Sequence, residues 1–167
     1  MVLFQMTYLG APMIYYGDEV GMWGGDDPDD RKPMLWTDLQ YEDETHHPFG
    51  KSRPVDKNTF NSDLFQYYKS LISIRRNNDA LQLGDFTTLL TDDKSDIYAF
   101  IRTHQEQRVI VIINNSSLTQ LVTAALPKNL QSQKWESVFA EKSAEIREGR
   151  LEVNLSAKSG VILSSKH

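Results

Sequence analysis

Between Pro12 and Gly17 stands an unbroken apolar run, Met13-Ile14-Tyr15-Tyr16, and from Asp18 to Lys57 some 40 residues then follow with little hydrophobic period. A continuous apolar run of this length, closed by turn residues, suits a strand buried on both faces, as in a parallel sheet. A long aperiodic stretch inside a compact domain is uncommon and is usually functional or disordered. Disorder fits poorly here, because Trp23, Trp36, Tyr41 and Phe49 lie within it and disordered segments are poor in aromatics. The expected arrangement is a barrel strand opening at its C-terminal end into an acidic, aromatic loop.

What precedes the strand reads as the inside of a helix, with Leu3, Met6 and Leu9 on one face and a stop at Gly10-Ala11-Pro12. It has neither a cap nor a polar approach, so it is expected to continue something longer, and no basic leader marks a signal peptide. The apolar Met13–Tyr16 run is then expected to need neighbours. We expect the N-terminal arm to pack on the rest of the chain, on a second copy or on a larger barrel.

A second helix is predicted after Ser62, its cap, with Asp63 in the first turn. Leu64, Tyr68, Leu71, Ile72 and Arg75 recur at helical spacing, Arg75-Arg76 sit where the helix dipole favours cations, and Asn77-Asn78 ends it. After Gly84 the pattern changes to short strands at 86–90, 97–103, 108–114, 118–126, 134–139, 151–155 and 161–164, with turn residues between them. Strands without intervening helices predict an antiparallel sandwich, with Val109–Ile113 at its centre.

Composition excludes several classes. The chain carries a net charge of −5 and has no basic stripe, which gives no footprint for nucleic acid. No apolar run approaches the roughly 18 residues of a membrane helix. Cysteine is absent, so disulfides and thiolate metal sites are excluded.

The chemistry-bearing residues lie mostly in the long loop. Asp26, Asp27, Asp29 and Asp30 surround Pro28 and precede Arg31. A calcium loop needs oxygen ligands at alternate positions and a terminal Glu, and Arg31 breaks that series. The plain reading is a solvated turn with local Asp–Arg pairing. The sharper one makes Asp27 and Arg31 a hydrogen-bonding clamp for the neutral hydroxyls of a sugar. His46-His47 lacks a second ligand at usable spacing, and Ser52 and Ser62 lie in no nucleophile elbow. Asp18-Glu19 follows the strand, but adjacent residues point apart. Glycoside hydrolysis needs two carboxyls facing each other across the bond.

Three phrases together resemble the α-amylase superfamily, glycoside hydrolase family 13, in its neopullulanase, cyclomaltodextrinase and α-glucosidase-like branch. FQMTYLGAPMIYYGDEVGM (Phe4–Met22) resembles the end of barrel helix 7, strand 8 and the start of its loop. GGDDPDDRKPMLW (Gly24–Trp36) is similar to the loop-8 segment. LFQYYKSLISIRRNNDALQLGDF (Leu64–Phe86) looks like barrel helix 8 and the entry into the C-terminal domain.

The resemblance implies a mostly β chain: an antiparallel Greek-key β-sandwich at 83–167, preceded by the last βα unit of a (β/α)8 barrel at 1–82. It implies a retaining enzyme acting on α-glucosidic bonds of starch-like oligosaccharides. The family's nucleophile, acid/base and assisting Asp follow barrel strands 4, 5 and 7, which match nothing in this sequence. No catalytic residue is therefore expected, and Asp18-Glu19 is read as structural. The D-P-x-x-R pattern does match, which implies that Asp27 and Arg31 touch a glucose a few subsites from the cleaved bond. No metal and no cofactor are expected. The implied partner is an α-glucan oligosaccharide, with self-association through the exposed barrel remnant. The competing expectation is a non-catalytic carbohydrate-binding or structural sandwich with an accessory arm.

Overall fold

The computed structural model describes residues 1–25, 27–47, 49–140 and 144–166. The chain divides into two compact units, Pro12–Ser70 and the combination of Met1–Ala11 with Leu71–His167.

The larger unit is a β-sandwich built from β1 (Asp85–Asp92), β2 (Ile97–His104), β3 (Gln107–Asn114), β4 (Gln120–Ala125), β5 (Lys134–Phe139), β6 (Ala144–Arg147), β7 (Arg150–Leu155) and β8 (Ser159–Lys166). One sheet has the order β1-β2-β3-β8-β5 and the other β4-β7-β6, and every pairing is antiparallel. The predicted strands are all present, with β3 at the centre of the larger sheet. The short β6 was not predicted. Both edge strands of that sheet, β1 and β5, carry a register shift, which blunts an edge against further pairing.

Period-2 geometry explains the core. Ile97, Ala99 and Ile101 of β2 join Ile110 and Ile112 of β3, Val161 and Leu163 of β8, and Leu151, Val153 and Leu155 of β7 between the sheets. The alternate residues of β2 face the other way, yet Phe100 and Arg102 are also buried. What covers them is the N-terminal helix α1 (Val2–Thr7). Phe4 lies edge-on to Phe100 with ring centroids 6.3 Å apart, and Tyr8 lies edge-on to Phe86 at 5.0 Å. Two covered faces account for the nearly continuous apolar runs of β2 and β3.

The N-terminal arm thus packs, over α1, on the sandwich. Leu3 and Met6 are buried as predicted, but the helix ends at Thr7 and Leu9 is half exposed. The closing groups are two guanidiniums. Arg75 Nη1 donates to Met6 O at 2.9 Å and to Tyr8 O at 3.2 Å, and its Nη2 donates to Gly10 O at 2.6 Å. Arg102 donates to Thr7 O, Tyr8 O, Leu81 O and Gly84 O at 2.9–3.1 Å. The last carbonyls of a helix have no intrahelical partner, and buried cations serve them here. Arg75 was expected to answer the dipole of its own helix; it answers that of α1.

The helix α2 (Ser62–Arg76) has the predicted face, with Tyr68, Leu71 and Arg75 buried. Its cap lies one residue earlier than predicted: Leu64 N donates to Asn61 Oδ1 at 3.0 Å. Asn78 closes it by donating to Ile74 O and opens the unpredicted five-residue helix α3 (Asp79–Leu83). Gly84 follows where backbone approaches closely. A Cβ there would lie 2.3 Å from Ala80 O and 2.7 Å from Thr103 O.

The smaller unit departs from the reading of Met13–Tyr16 as a buried strand. Residues 12–16 form no ladder, and Met13, Tyr15 and Tyr16 are exposed. The physical reason is that a parallel strand needs hydrogen-bonded neighbours, and neither sheet includes residues 12–16.

Candidate functional site

The loop after the 12–16 segment begins with a left-handed Gly17 (φ 95°), where the chain turns into a short 3-10 helix, Asp18–Val20. Glu19 Oε2 accepts from Gly17 N at 2.9 Å, so this carboxylate caps its own turn. Among the described residues, nothing pairs Asp18 with Glu19 across a cleft in the manner of an acid and a base.

Residues 23–32 are held by a network that reaches residues 44–56. Asp29 Oδ2 accepts from Gly25 N at 2.8 Å and lies 3.4 Å from Lys32 Nζ. Lys32 Nζ is 2.7 Å from Glu44 Oε1. Glu44 and Asp56 exchange both backbone hydrogen bonds, at 2.9 and 3.1 Å. Arg53, its side chain 5% exposed, lies 2.5 Å from Asp56 and 3.7 Å from Glu44. The Trp23 ring carries both cations, with Arg53 Cζ 3.5 Å and Lys32 Nζ 4.4 Å from its centroid. Tyr16 Oη donates to Lys32 O at 2.9 Å, which ties the 12–16 segment to the same loop.

Asp27 and Arg31 sit on this scaffold. Their Oδ1–Nη2 separation is 3.1 Å, and both side chains are about two-thirds exposed, at 65% and 67%. The Asp27–Pro28 peptide is cis, and Arg31 N closes a turn onto Pro28 O at 3.1 Å. A solvated ion pair of this kind contributes little stability. It does present a second carboxylate oxygen and further guanidinium N–H groups, a donor and acceptor set suited to vicinal hydroxyls. Tyr15 is close enough for Asp30 and Arg31 to act on it. Its phenol is raised from the usual value, first by desolvation and then by the charges of Tyr16 and Asp30, with Arg31 opposing.

Sequence spacing brought Asp27 and Arg31 together, and the geometry agrees. It gave no sign of Trp23, Lys32, Glu44 and Arg53 as the parts that fix the loop. The signal for them is a Trp set among cations and acids in an otherwise aperiodic stretch. Asp26 lies outside the described residues. His46 Nδ1 shares a hydrogen bond with Thr45 at 2.8 Å, and His47 Nδ1 accepts from Phe49 N at 3.1 Å while its ring stands edge-on to Trp23. Both are used locally. Among the described residues, no group of three or more His, Asp or Glu side chains is placed to hold a metal ion. None of their helices is long and apolar enough to cross a membrane.

Residues 1–84 match the family model described as "Alpha amylase, catalytic domain", and residues 86–162 match "Maltogenic Amylase, C-terminal domain". The chain belongs to the α-amylase family. Neopullulanase 2 of Thermoactinomyces vulgaris is 36% identical over 162 residues, covering 97% of this chain and 24% of its own length. A cyclomaltodextrinase of Thermoanaerobacter pseudethanolicus is 40% identical over 121 residues, covering 72% of this chain and 17% of its own. The chain thus spans about a quarter or less of the length of these α-amylase relatives. Among solved structures, a cyclomaltodextrinase superposes with a TM-score of 0.76 at 28% identity, over 99% of this chain and 25% of that one. An Anoxybacillus α-amylase gives 0.77 at 25% identity, over 98% and 31%. The fold is that of the amylase C-terminal sandwich following the end of the barrel domain.

Proposed function

We propose that this chain is the C-terminal part of a retaining α-glucan hydrolase, acting on α-glucosidic bonds of starch-like oligosaccharides. Residues 1–82 belong to the catalytic barrel and 83–167 to the sandwich. The chain supplies one wall of the substrate cleft and none of the catalytic carboxylates. Asp27 and Arg31 bind a glucosyl unit some subsites from the cleaved bond. The observation that carries this reading is the exposed Asp27–Arg31 pair, 3.1 Å apart, on a loop fixed from behind by Arg53 and Lys32. The match of residues 1–84 to the catalytic-domain model supports it.

The clamp contributes by hydrogen bonds from charged groups to hydroxyls, each worth about 1.5–3 kcal/mol. In the intact enzyme Asp27→Ala is expected to lower kcat/KM on long oligosaccharides by roughly ten- to a hundredfold, and much less on maltose-sized ones. Equal loss on both counts against a distal subsite. The 167-residue chain alone is expected to release no reducing sugar from maltoheptaose. Turnover by it overturns the assignment of the catalytic carboxylates elsewhere.

A further inference from the structure

Behind Trp36 the smaller unit contains an open hollow of about 460 Å³, within the roughly 300–1,000 Å³ range of small-molecule sites. Nine residues line it and none is charged, although a quarter of the chain's residues are. Its lining includes three aromatic residues, Trp36, Tyr41 and Phe60, beside the neutral hydroxyls and amides of Thr37, Gln40, Asn58 and Thr59. Among the described residues, none of these four side chains makes an intramolecular hydrogen bond.

Trp36 is 56% exposed, yet its backbone is pinned at both ends. Its N–H donates to Tyr41 Oη at 2.8 Å, and its carbonyl accepts from Leu39 N at 3.3 Å. Tyr41 Oη in turn donates to Met34 O at 3.1 Å, which spends the phenol on the scaffold and leaves its ring as wall. An indole face presented by fixed backbone, ringed by unengaged neutral donors and acceptors, favours a neutral ligand with an apolar face and many hydroxyls. A pyranose ring has both. A phosphate or a carboxylate would find no cation here.

We propose that this hollow binds a glucosyl unit of an α-glucan, stacked on Trp36 and hydrogen-bonded by Asn58 and Thr59. The choice of glucan rests on the function proposed above. The site shares no residue with the Asp27–Arg31 pair.

The test titrates the 167-residue chain with maltoheptaose, read by tryptophan fluorescence and calorimetry, with cellohexaose as the β-linked comparison. Saturable binding of maltoheptaose is expected, with cellohexaose at least tenfold weaker. Trp36→Ala should weaken binding at least tenfold, Trp36→Phe less than Trp36→Ala, and Thr59→Ala (an exposed position that does not threaten folding) about threefold. Asp27→Ala is titrated beside them to separate the hollow from the ion pair. Absence of maltoheptaose binding overturns the proposal, as does binding unaltered by both Trp36→Ala and Thr59→Ala. Equal binding of the two sugars overturns the α-glucan assignment. Loss with Asp27→Ala alone would move the sugar to the ion pair, refuting the hollow while leaving the function proposed above intact. Failure of that function is read separately, from the Asp27→Ala kinetics of the intact enzyme.

Discussion

At the scale of single residues, the most consequential side chain outside the loop is Arg102. It is 1% exposed in the middle of an apolar strand and has no carboxylate within ion-pair distance among the described residues. Burial pushes its guanidinium down from the ordinary value, and the neighbouring charge of Arg75 pushes the same way. The cation persists because four carbonyls accept from it. Arg102→Leu would keep the volume roughly and strand those acceptors, at about 1–3 kcal/mol for each that finds no water. We expect a loss of about 3 kcal/mol or more in urea unfolding, with Arg102→Lys intermediate because an ammonium cannot fork to both helix ends. A loss below about 1 kcal/mol would show that water replaces the fork. This residue also marks a limit of sequence reading. An i,i+4 pair such as Asp27 and Arg31 is visible in the chain, whereas Arg102 serves residues 95 positions away. Nothing local distinguishes it from a surface arginine on a strand.

Among the elements, α2 was legible because fifteen residues give four turns of apolar period, and the sandwich because alternation and turn residues repeat together. The four-residue β6 and five-residue α3 are each too short to show a period, so neither was foreseen. The 12–16 segment has the composition of a buried strand, but composition cannot supply the neighbouring backbone. Helix α2 also carries a titration. Tyr68 is buried, and its phenol is raised above 10.0 by desolvation first and then by the charges of Asp18 and Glu19. A raised folded pKa means that between the two pKa values the native state holds a proton that the unfolded state has released. Stability from this group is therefore complete below about pH 10 and falls as pH rises through the folded value. Alkaline unfolding should steepen above pH 10, and Tyr68→Phe should flatten that limb by equilibrium denaturation at pH 9–11. An unchanged slope in the variant would mean that other phenols carry the alkaline transition.

For the whole molecule, the two units differ in what holds them. Of the large apolar residues in Pro12–Ser70 that are described, Val20, Leu35 and Tyr68 are buried, whereas Met13, Tyr15, Tyr16, Trp36, Leu39, Phe49, Val55 and Tyr67 are exposed. The sandwich reverses that balance, with thirteen buried residues in one cluster. The smaller unit relies instead on the ion network around Trp23, and charge networks with partial exposure weaken as salt screens them. Exposed apolar surface on this scale invites association. We propose that the chain self-associates through this unit, with an apparent mass in sedimentation equilibrium that rises with protein concentration. Replacing Tyr15 and Val55 by serine removes apolar area without touching the ion network, and should return the chain to the monomer mass. Salt tests the mechanism further. Apolar association is strengthened by sulfate, whereas association through charges would weaken. A mass independent of concentration would show that the smaller unit covers these side chains by itself.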